Sequence, residues 1–356
     1  MENSEKKHQR RVRYKGTHPR SFKEKYKEHQ PEKYKDDIQK IIKKGNTPAG
    51  MHISIMVNEI IDFLDIKPGQ IGLDATLGYG GHSCAMLEKL ENQGHLFGLD
   101  IDPIEIKKTT QRIRDKGFDE NIFTSIHTNF EHLKHITNQH GPFDFILADL
   151  GVSSMQIDNP ERGFSFKVDS DLDLRLNPNH GISAATCLAQ IDYQSLKNLL
   201  IENSDEPYAH EIAQAIMRLN KMNLEIKTTT DLKNLVISII EKDTKISKKE
   251  QPLLIKKTCQ RVFQALRIEV NREFDVLYDF LDFLPNALKP NGRVAILTFH
   301  SGEDRLVKKA FKEYKNLGLF SDISTEVIRP SAKECFENPR ASSTKMRYAI
   351  KSEEII

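Results

Sequence analysis

The chain has 356 residues, of which 38% are hydrophobic and 29% charged, and a net charge of +2. That is enough for a sizeable core, and no apolar run approaches the ~18 residues of a membrane span, so no spanning helix is expected. The four cysteines, Cys84, Cys187, Cys259 and Cys335, form no C-x-x-C pair. A disulfide framework or a zinc site is therefore not expected, and the chain reads as reduced and cytoplasmic.

Residues 1–45 hold 15 Lys/Arg against 7 Asp/Glu, a local charge of +8, and the rest of the chain carries −6. This leader has no apolar core of a secretory signal. Tyr14, Phe22 and Tyr26 alternate with its cations. Such a segment is either a solvated tail or an arm for a polyanion. Next, "IGLDA" (71–75), "HLFGLD" (95–100), "IFTSIH" (122–127) and "FDFILADL" (143–150) read as strands. Helical stretches at 82–90, 104–117 and 131–136 separate them. That alternation predicts βαβ units and a parallel sheet. From Glu161 to Arg261 no strand pattern appears; Ile212, Ile216 and Leu219, then Leu232, Leu235 and Ile239, fall at helical spacing. A single long helix is expected over "RVFQALRIEVNREFDVLYDFL", with Phe263, Leu266, Val270, Phe274, Leu277 and Leu281 on one stripe. "KPNG" (289–292) reads as a turn and "RVAILTF" (293–299) as a buried strand. Ser301-x-x-Asp304 resembles a capping box, and "STEVI" (324–328) and "MRYAI" (346–350) read as closing strands. The simplest architecture is one doubly wound α/β domain interrupted by helices.

The stretch "LGYGGHS" (77–83) lies between the first strand and the first helix. A glycine-rich turn there, at the carboxyl ends of parallel strands, is a ligand site. A dinucleotide loop wants G-x-G-x-x-G, but Ser83 takes the third glycine position. Asp74 before the loop is awkward beside a pyrophosphate. Asp74, Asp100 and Asp149 instead suit S-adenosylmethionine, which has an ammonium, a sulfonium and a ribose diol but no phosphate. No Gly-Lys-Ser/Thr follows the loop, so a Walker-type phosphate site is not expected.

Five stretches in order, "DATLGYGGHS", "ADLGVSSMQIDNPERGFSF", "CQRVFQALRIEVN", "TFHSGEDRLVK" and "ENPRASSTKMR", resemble the RsmH (MraW) family of 16S rRNA cytidine N4-methyltransferases. The resemblance runs from about Met51 to the C-terminus. It implies a Rossmann-like class I methyltransferase fold with an inserted helical domain. On that reading residues 1–45 are a basic extension, 46–160 and 262–356 form the methyltransferase domain, and 161–261 form the insertion that receives RNA. The resemblance places Gly80, Gly81, His82, Asp100, Phe130, Asp149 and Gln156 on the cofactor. It implies S-adenosylmethionine as cofactor and 16S rRNA of the small subunit as partner, with a homodimer as a candidate assembly and no membrane. "DSDLDLRL" (169–176) stands where the family usually has "DGPLDMRM", and "TFHSGEDR" where it often has "SFHSLEDR".

The chemistry narrows the roles. A cytosine amine is a poor nucleophile, so it must be aligned with the methyl group and its hydrogens accepted. Asp149, at the end of a buried strand, is the first choice as acceptor; the alternative is that it only holds the cofactor. His300 and Ser301, at the end of the later strand, could line the same cleft, or His300 could be structural. Arg162 and Arg175, beside Phe164 and Phe166, could hold phosphate while a base stacks, or the two aromatics could pack into the core. Cytosine C5 chemistry needs a cysteine nucleophile, and none sits at a strand end. Asp169, Asp171 and Asp173 lack the glycine and glutamate of a calcium loop, and His132, His135 and His140 lack a ligand set, so no metal is expected. The rival readings are a non-catalytic RNA-binding or ribosome-assembly protein, a methyltransferase of another RNA cytidine, and, more distantly, an NAD-dependent enzyme.

Overall fold

The computed structural model describes residues 54–152, 156–157 and 159–353. The basic leader at 1–45 and part of the "GVSSMQ" loop therefore lie outside the described residues. Helix α1 (Val57–Leu64) leads into β1 (Ile71–Asp74). Then follow α2 (Gly81–Leu90), β2 (His95–Asp100), α3 (Pro103–Asp115), β3 (Phe123–His127), α4 (Leu133–His140) and β4 (Phe143–Asp149). Helix α3 begins as its sequence dictates: Asp102 caps it by accepting from the N–H groups of Ile104 (2.9 Å) and Glu105 (3.3 Å), with Pro103 in the first position.

Five helices come next: α5 (Ala184–Gln190), α6 (Tyr193–Ser204), α7 (Ala209–Lys221), α8 (Thr229–Ile240) and α9 (Gln251–Val270). They enclose a core of their own, centred on Leu196, Ile212, Leu232 and Leu266. Phe164 is buried in that core, and Phe166 packs edge-on against Phe263 at 5.6 Å. The chain returns through α10 (Glu273–Ala287) to β5 (Leu288–Thr298), α11 (Ser301–Asn316), β6 (Phe320–Ile323), α12 (Ala332–Glu337) and β7 (Lys345–Lys351).

The sheet order is β3-β2-β1-β4-β5-β7-β6. Strands β1 to β5 run parallel, and β7 pairs antiparallel with both β5 and β6. One face is covered by α1, α2 and α3, through Ile60, Met86 and Ile113. The other is covered by α4, α10 and α11, through Ile136, Phe280 and Phe311. Chain order reverses between β1 and β4, so the crevice outside their carboxyl ends is the switch point at which such sheets bind ligands.

Four local expectations need correction. The long helix is two helices, because Arg272 adopts a left-handed φ of 50° and ends the run. Its apolar stripe serves two cores: Phe263 and Leu266 join the helical block, while Leu277 and Leu281 join the sheet. "KPNG" does not separate β5 from the preceding helix. It is an irregularity within β5, where Asn291 has φ 61° and the pairing with β4 shifts between Phe143 and Phe145. The partner of β7 is Phe320–Ile323 rather than "STEVI", of which Ile328 alone bridges to Met346. The cap of α11 is His300 rather than Ser301, with Glu303 in the third position accepting from the N–H groups of Phe299 (2.8 Å) and His300 (3.4 Å).

Candidate active site

The carboxyl ends of β1, β2, β4 and β5 deliver Asp74, Asp100, Asp149 and the Thr298–His300 segment to one edge. The glycine loop crosses this edge and is tied down on both sides. Asp100 Oδ2 accepts from Gly78 N–H at 2.8 Å, and Thr109 Oγ1 donates to the Gly78 carbonyl at 2.5 Å. Gly80 stands at φ 82°, and a Cβ there would lie 2.7 Å from Thr109 Cγ2. Its glycine is thus demanded by backbone conformation and by α3 behind it.

Asp74 is almost wholly buried. Its Oδ2 accepts from the Ser83 hydroxyl at 2.5 Å and its Oδ1 from Thr76 N–H at 3.1 Å, so it anchors the loop to the start of α2. Thr76 Oγ1 in turn accepts the Asp149 N–H at 2.6 Å. Asp149 keeps 28% of its side chain exposed, with Oδ2 at 3.5 Å from His82 Nδ1. The other His82 nitrogen, Nε2, lies 2.9 Å from the Ile55 carbonyl. Asp149 Oδ1 is buried and has no hydrogen-bond partner among the described residues. An acceptor stripped of water and left unpaired is costly unless a ligand supplies the donor.

Desolvation dominates the electrostatics of this edge. It pushes Asp149 up to about 6, with the nearby carboxylates of Asp74 and Glu303 adding to the rise and His82 opposing it. It pushes Asp100 up to about 7, with the hydrogen bonds from Asp102 and Gly78 opposing it, and it raises Asp74 as well. Three carboxyls that prefer a proton or a cation line the crevice. The arrangement suits an ammonium, a sulfonium or sugar hydroxyls, and repels a pyrophosphate.

The structure gives the other expected residues the following surroundings. Gln156 turns toward Asp102, donating to its Oδ2 at 3.2 Å. Arg162 donates to the same oxygen at 2.7 Å and to the carbonyls of Arg175 (3.1 Å) and Leu176 (2.7 Å). Its guanidinium is committed to joining the post-β4 loop to the cap of α3. Arg175 is held bidentate by Asp173, at 2.6 and 2.8 Å. Phe130, half-buried just beyond β3, stands edge-on to Phe280 at 5.3 Å. Ser301 is exposed on the first turn of α11. His132 and His135 face solvent, and His140 stacks on Phe97 at 4.4 Å.

Behind β5, His300 Nε2 lies 3.1 Å from Glu303 Oε1, and Arg267 grips Glu273 through bonds of 2.8 and 2.9 Å. Glu273, His300 and Glu303 bring ligand atoms within 4.8 Å of one another, but Arg267 already supplies the positive charge there. Asp102, Glu303 and Arg267 were missed as site residues. The Asp102-Pro103 helix start was the available signal for the first. The others needed a tertiary contact.

The sequence that builds this carboxylate-lined switch point matches known proteins over most of its length. The family model of the MraW methylases matches residues 49–352. The chain belongs to the MraW methylase family. It is 61% identical over 351 residues to "Ribosomal RNA small subunit methyltransferase H 1" of Lachnoclostridium phytofermentans, covering 99% of this chain and 95% of the relative. It is 62% identical over 349 residues to the protein of the same name from Agathobacter rectalis, covering 98% and 99% of the two chains. Among solved structures, an rRNA methylase from Streptococcus thermophilus superposes with a TM-score of 0.40 at 11% identity, over 85% of this chain and 99% of that one. Membership agrees with the Rossmann-like sheet described above. No helix among the described residues of this family member is long and apolar enough to cross a membrane.

Proposed function

We propose that this chain transfers a methyl group from S-adenosylmethionine to the N4 amine of a cytidine in 16S rRNA of the small ribosomal subunit. The observation that carries the reading is the unpaired Oδ1 of Asp149 at the switch point, in a chain whose 61–62% identical relatives are named small-subunit rRNA methyltransferases. The substrate argues for a cytoplasmic location.

The residues present fit the cofactor. Asp100, already accepting two backbone N–H groups, would hold the ribose hydroxyls. The loop at Gly80 and Gly81 would let the methionine portion approach the start of α2, with His82 and Asp149 beside it. Phe130 and Gln156 would close the pocket around the adenosine. When bound, S-adenosylmethionine supplies an electrophilic methyl group on a sulfonium.

The chain's own residues do the rest. Asp149 Oδ1 accepts an amine hydrogen and stabilises the positive charge that develops on nitrogen. Its raised pKa places the carboxylate near the working pH, where it can carry off that proton. His82, fixed by the Ile55 carbonyl, stands 3.5 Å from Oδ2, and Oδ1 is left free to take a donor from a ligand. His300, which follows β5 with its Nε2 3.1 Å from Glu303, would support the wall of the cleft from behind. The insertion, residues 161–261, receives the RNA and presents an unstacked base, as base chemistry requires.

The cysteines speak against C5 chemistry. Cys187 is buried on α5 and Cys259 in the helical core, with thiols pushed up to about 11 by desolvation, and burial raises Cys84 within α2. The test is nucleoside mass spectrometry of small-subunit rRNA from cells with and without the protein, using fragmentation that separates N4- from C5-methylcytidine. Loss of N4-methylcytidine is the expected result. Loss of the C5 isomer, or no change in any methylated cytidine, overturns the reading.

A further inference from the structure

Helix α11 leaves the site as a two-faced element. Val307 and Phe311 face inward and are buried against α10 and β6. The acids of its first turn are also consumed within the fold. Glu303 accepts backbone N–H groups, and Asp304 is gripped by Lys345 at 3.1 Å and Arg347 at 2.6 Å. The outer face is left to Arg305, Lys308, Lys309 and Lys312, all exposed, with Glu313 beside them, while Lys315 donates to the Ser321 carbonyl. Spacings of three, four and seven residues put these cations on one side of the helix.

That arrangement works against the isolated helix. Like charges three and four residues apart repel. The helix macrodipole rewards only cations in the last turn, here Lys315. A polyanion along the face would turn the repulsion into attraction. The stripe also has a direction. It begins one turn after His300, at the edge that holds Asp149, and from Arg305 to Lys312 it runs about 10 Å down the flank of the sheet. That length spans two or three nucleotides of an extended strand.

We propose that the outer face of α11 is a phosphate track that holds the RNA strand flanking the target nucleotide. The proposal rests on the rRNA methyltransferase reading and adds to it the path that the strand takes. Phosphate contacts of this kind position a nucleic acid without reading its sequence.

The test uses the full chain carrying K308A, K309A and K312A together, and a second variant carrying Lys→Arg at the same three positions. The probe is small ribosomal subunits from cells lacking the enzyme. Calorimetry with S-adenosylhomocysteine confirms that each variant keeps a formed cofactor site. The alanine variant is expected to bind subunits about tenfold more weakly at low salt. Its slope of log affinity against log salt should fall by about 2, the value for three lost single-strand phosphate contacts. The arginine variant should match wild type. An alanine variant that binds subunits like an active wild type at every salt concentration overturns the track and leaves the enzymatic reading intact. A wild type that methylates no subunit counts against the reading itself.

Discussion

Asp149 ionises near pH 6 because its surroundings strip it of water while Asp74 and Glu303 add negative charge. The base form is lost as pH falls through that value, so turnover should rise between about pH 5 and 7 and then level off. Asp149→Ala should lower kcat by about 100-fold or more while some cofactor still binds, a split that single-turnover kinetics and calorimetry resolve. Asp100 offers a second pH signature. Its pKa is raised from 3.8 to about 7, so the proton it retains stabilises the fold fully below about pH 4, and that contribution is lost as pH rises through 7. Cofactor affinity should move the opposite way, strengthening as the carboxylate forms to accept the ribose hydroxyls. Asp100→Asn should flatten that dependence and weaken binding by about tenfold or more, read by titration across the range. Gly80→Val should fail for a reason other than a blocked pocket. It forces a β-branched residue to φ 82° with its Cβ 2.7 Å from Thr109, so cofactor binding and thermal stability should fall together.

At the scale of elements, the decisive join is the break between α9 and α10. Asn271 stands there with its amide fully engaged: Oδ1 accepts Leu176 N–H at 2.7 Å, and Nδ2 donates to the carbonyls of Leu174 and Arg267, each at 2.8 Å. These bonds pin the "DLDLRL" stretch, in which Leu174 itself is held at φ 64°. Asn271→Ala should cost about 1–3 kcal/mol by leaving those backbone groups unpaired, measured as a lower urea midpoint. Arg162, which ties the post-β4 loop to Asp102, belongs to the same set of struts. Its substitution should loosen the loop beside Asp149, read as a lower urea midpoint.

For the whole molecule, charge is divided unevenly: residues 1–45 carry +8 and the remainder −6. We expect the leader to aid encounter with RNA rather than chemistry. Deleting it should weaken subunit binding, most visibly at low salt, and leave cofactor affinity unchanged. Normal methylation by the truncated chain at every salt concentration would assign the leader another purpose.

The first four parallel strands, the glycine loop and the acids at the strand ends were legible in the sequence, because each is a local signal. A buried parallel strand is a short apolar run, and the residue that ends it must emerge at the sheet's edge. Motif order carried the family in the same way, since each motif is contiguous. What lies across the fold was not legible. Phe263 and Leu281 share one helical stripe, yet only packing assigned them to different cores, because periodicity marks an apolar face without naming its partner. The N-cap of α11 shifted by one residue because Glu303, buried behind β5, satisfies the backbone there better than Asp304, which Lys345 and Arg347 draw away. The guanidinium of Arg162 looked available for phosphate in the sequence, and only the tertiary structure brought Asp102, 60 residues distant, to within 2.7 Å of it. The sequence by itself determined which groups reach the carboxyl edge of the sheet, because strand length and polarity are local. The tertiary structure decided which of those groups are already spent on one another, because charge pairing and desolvation depend on neighbours that the chain supplies from far away.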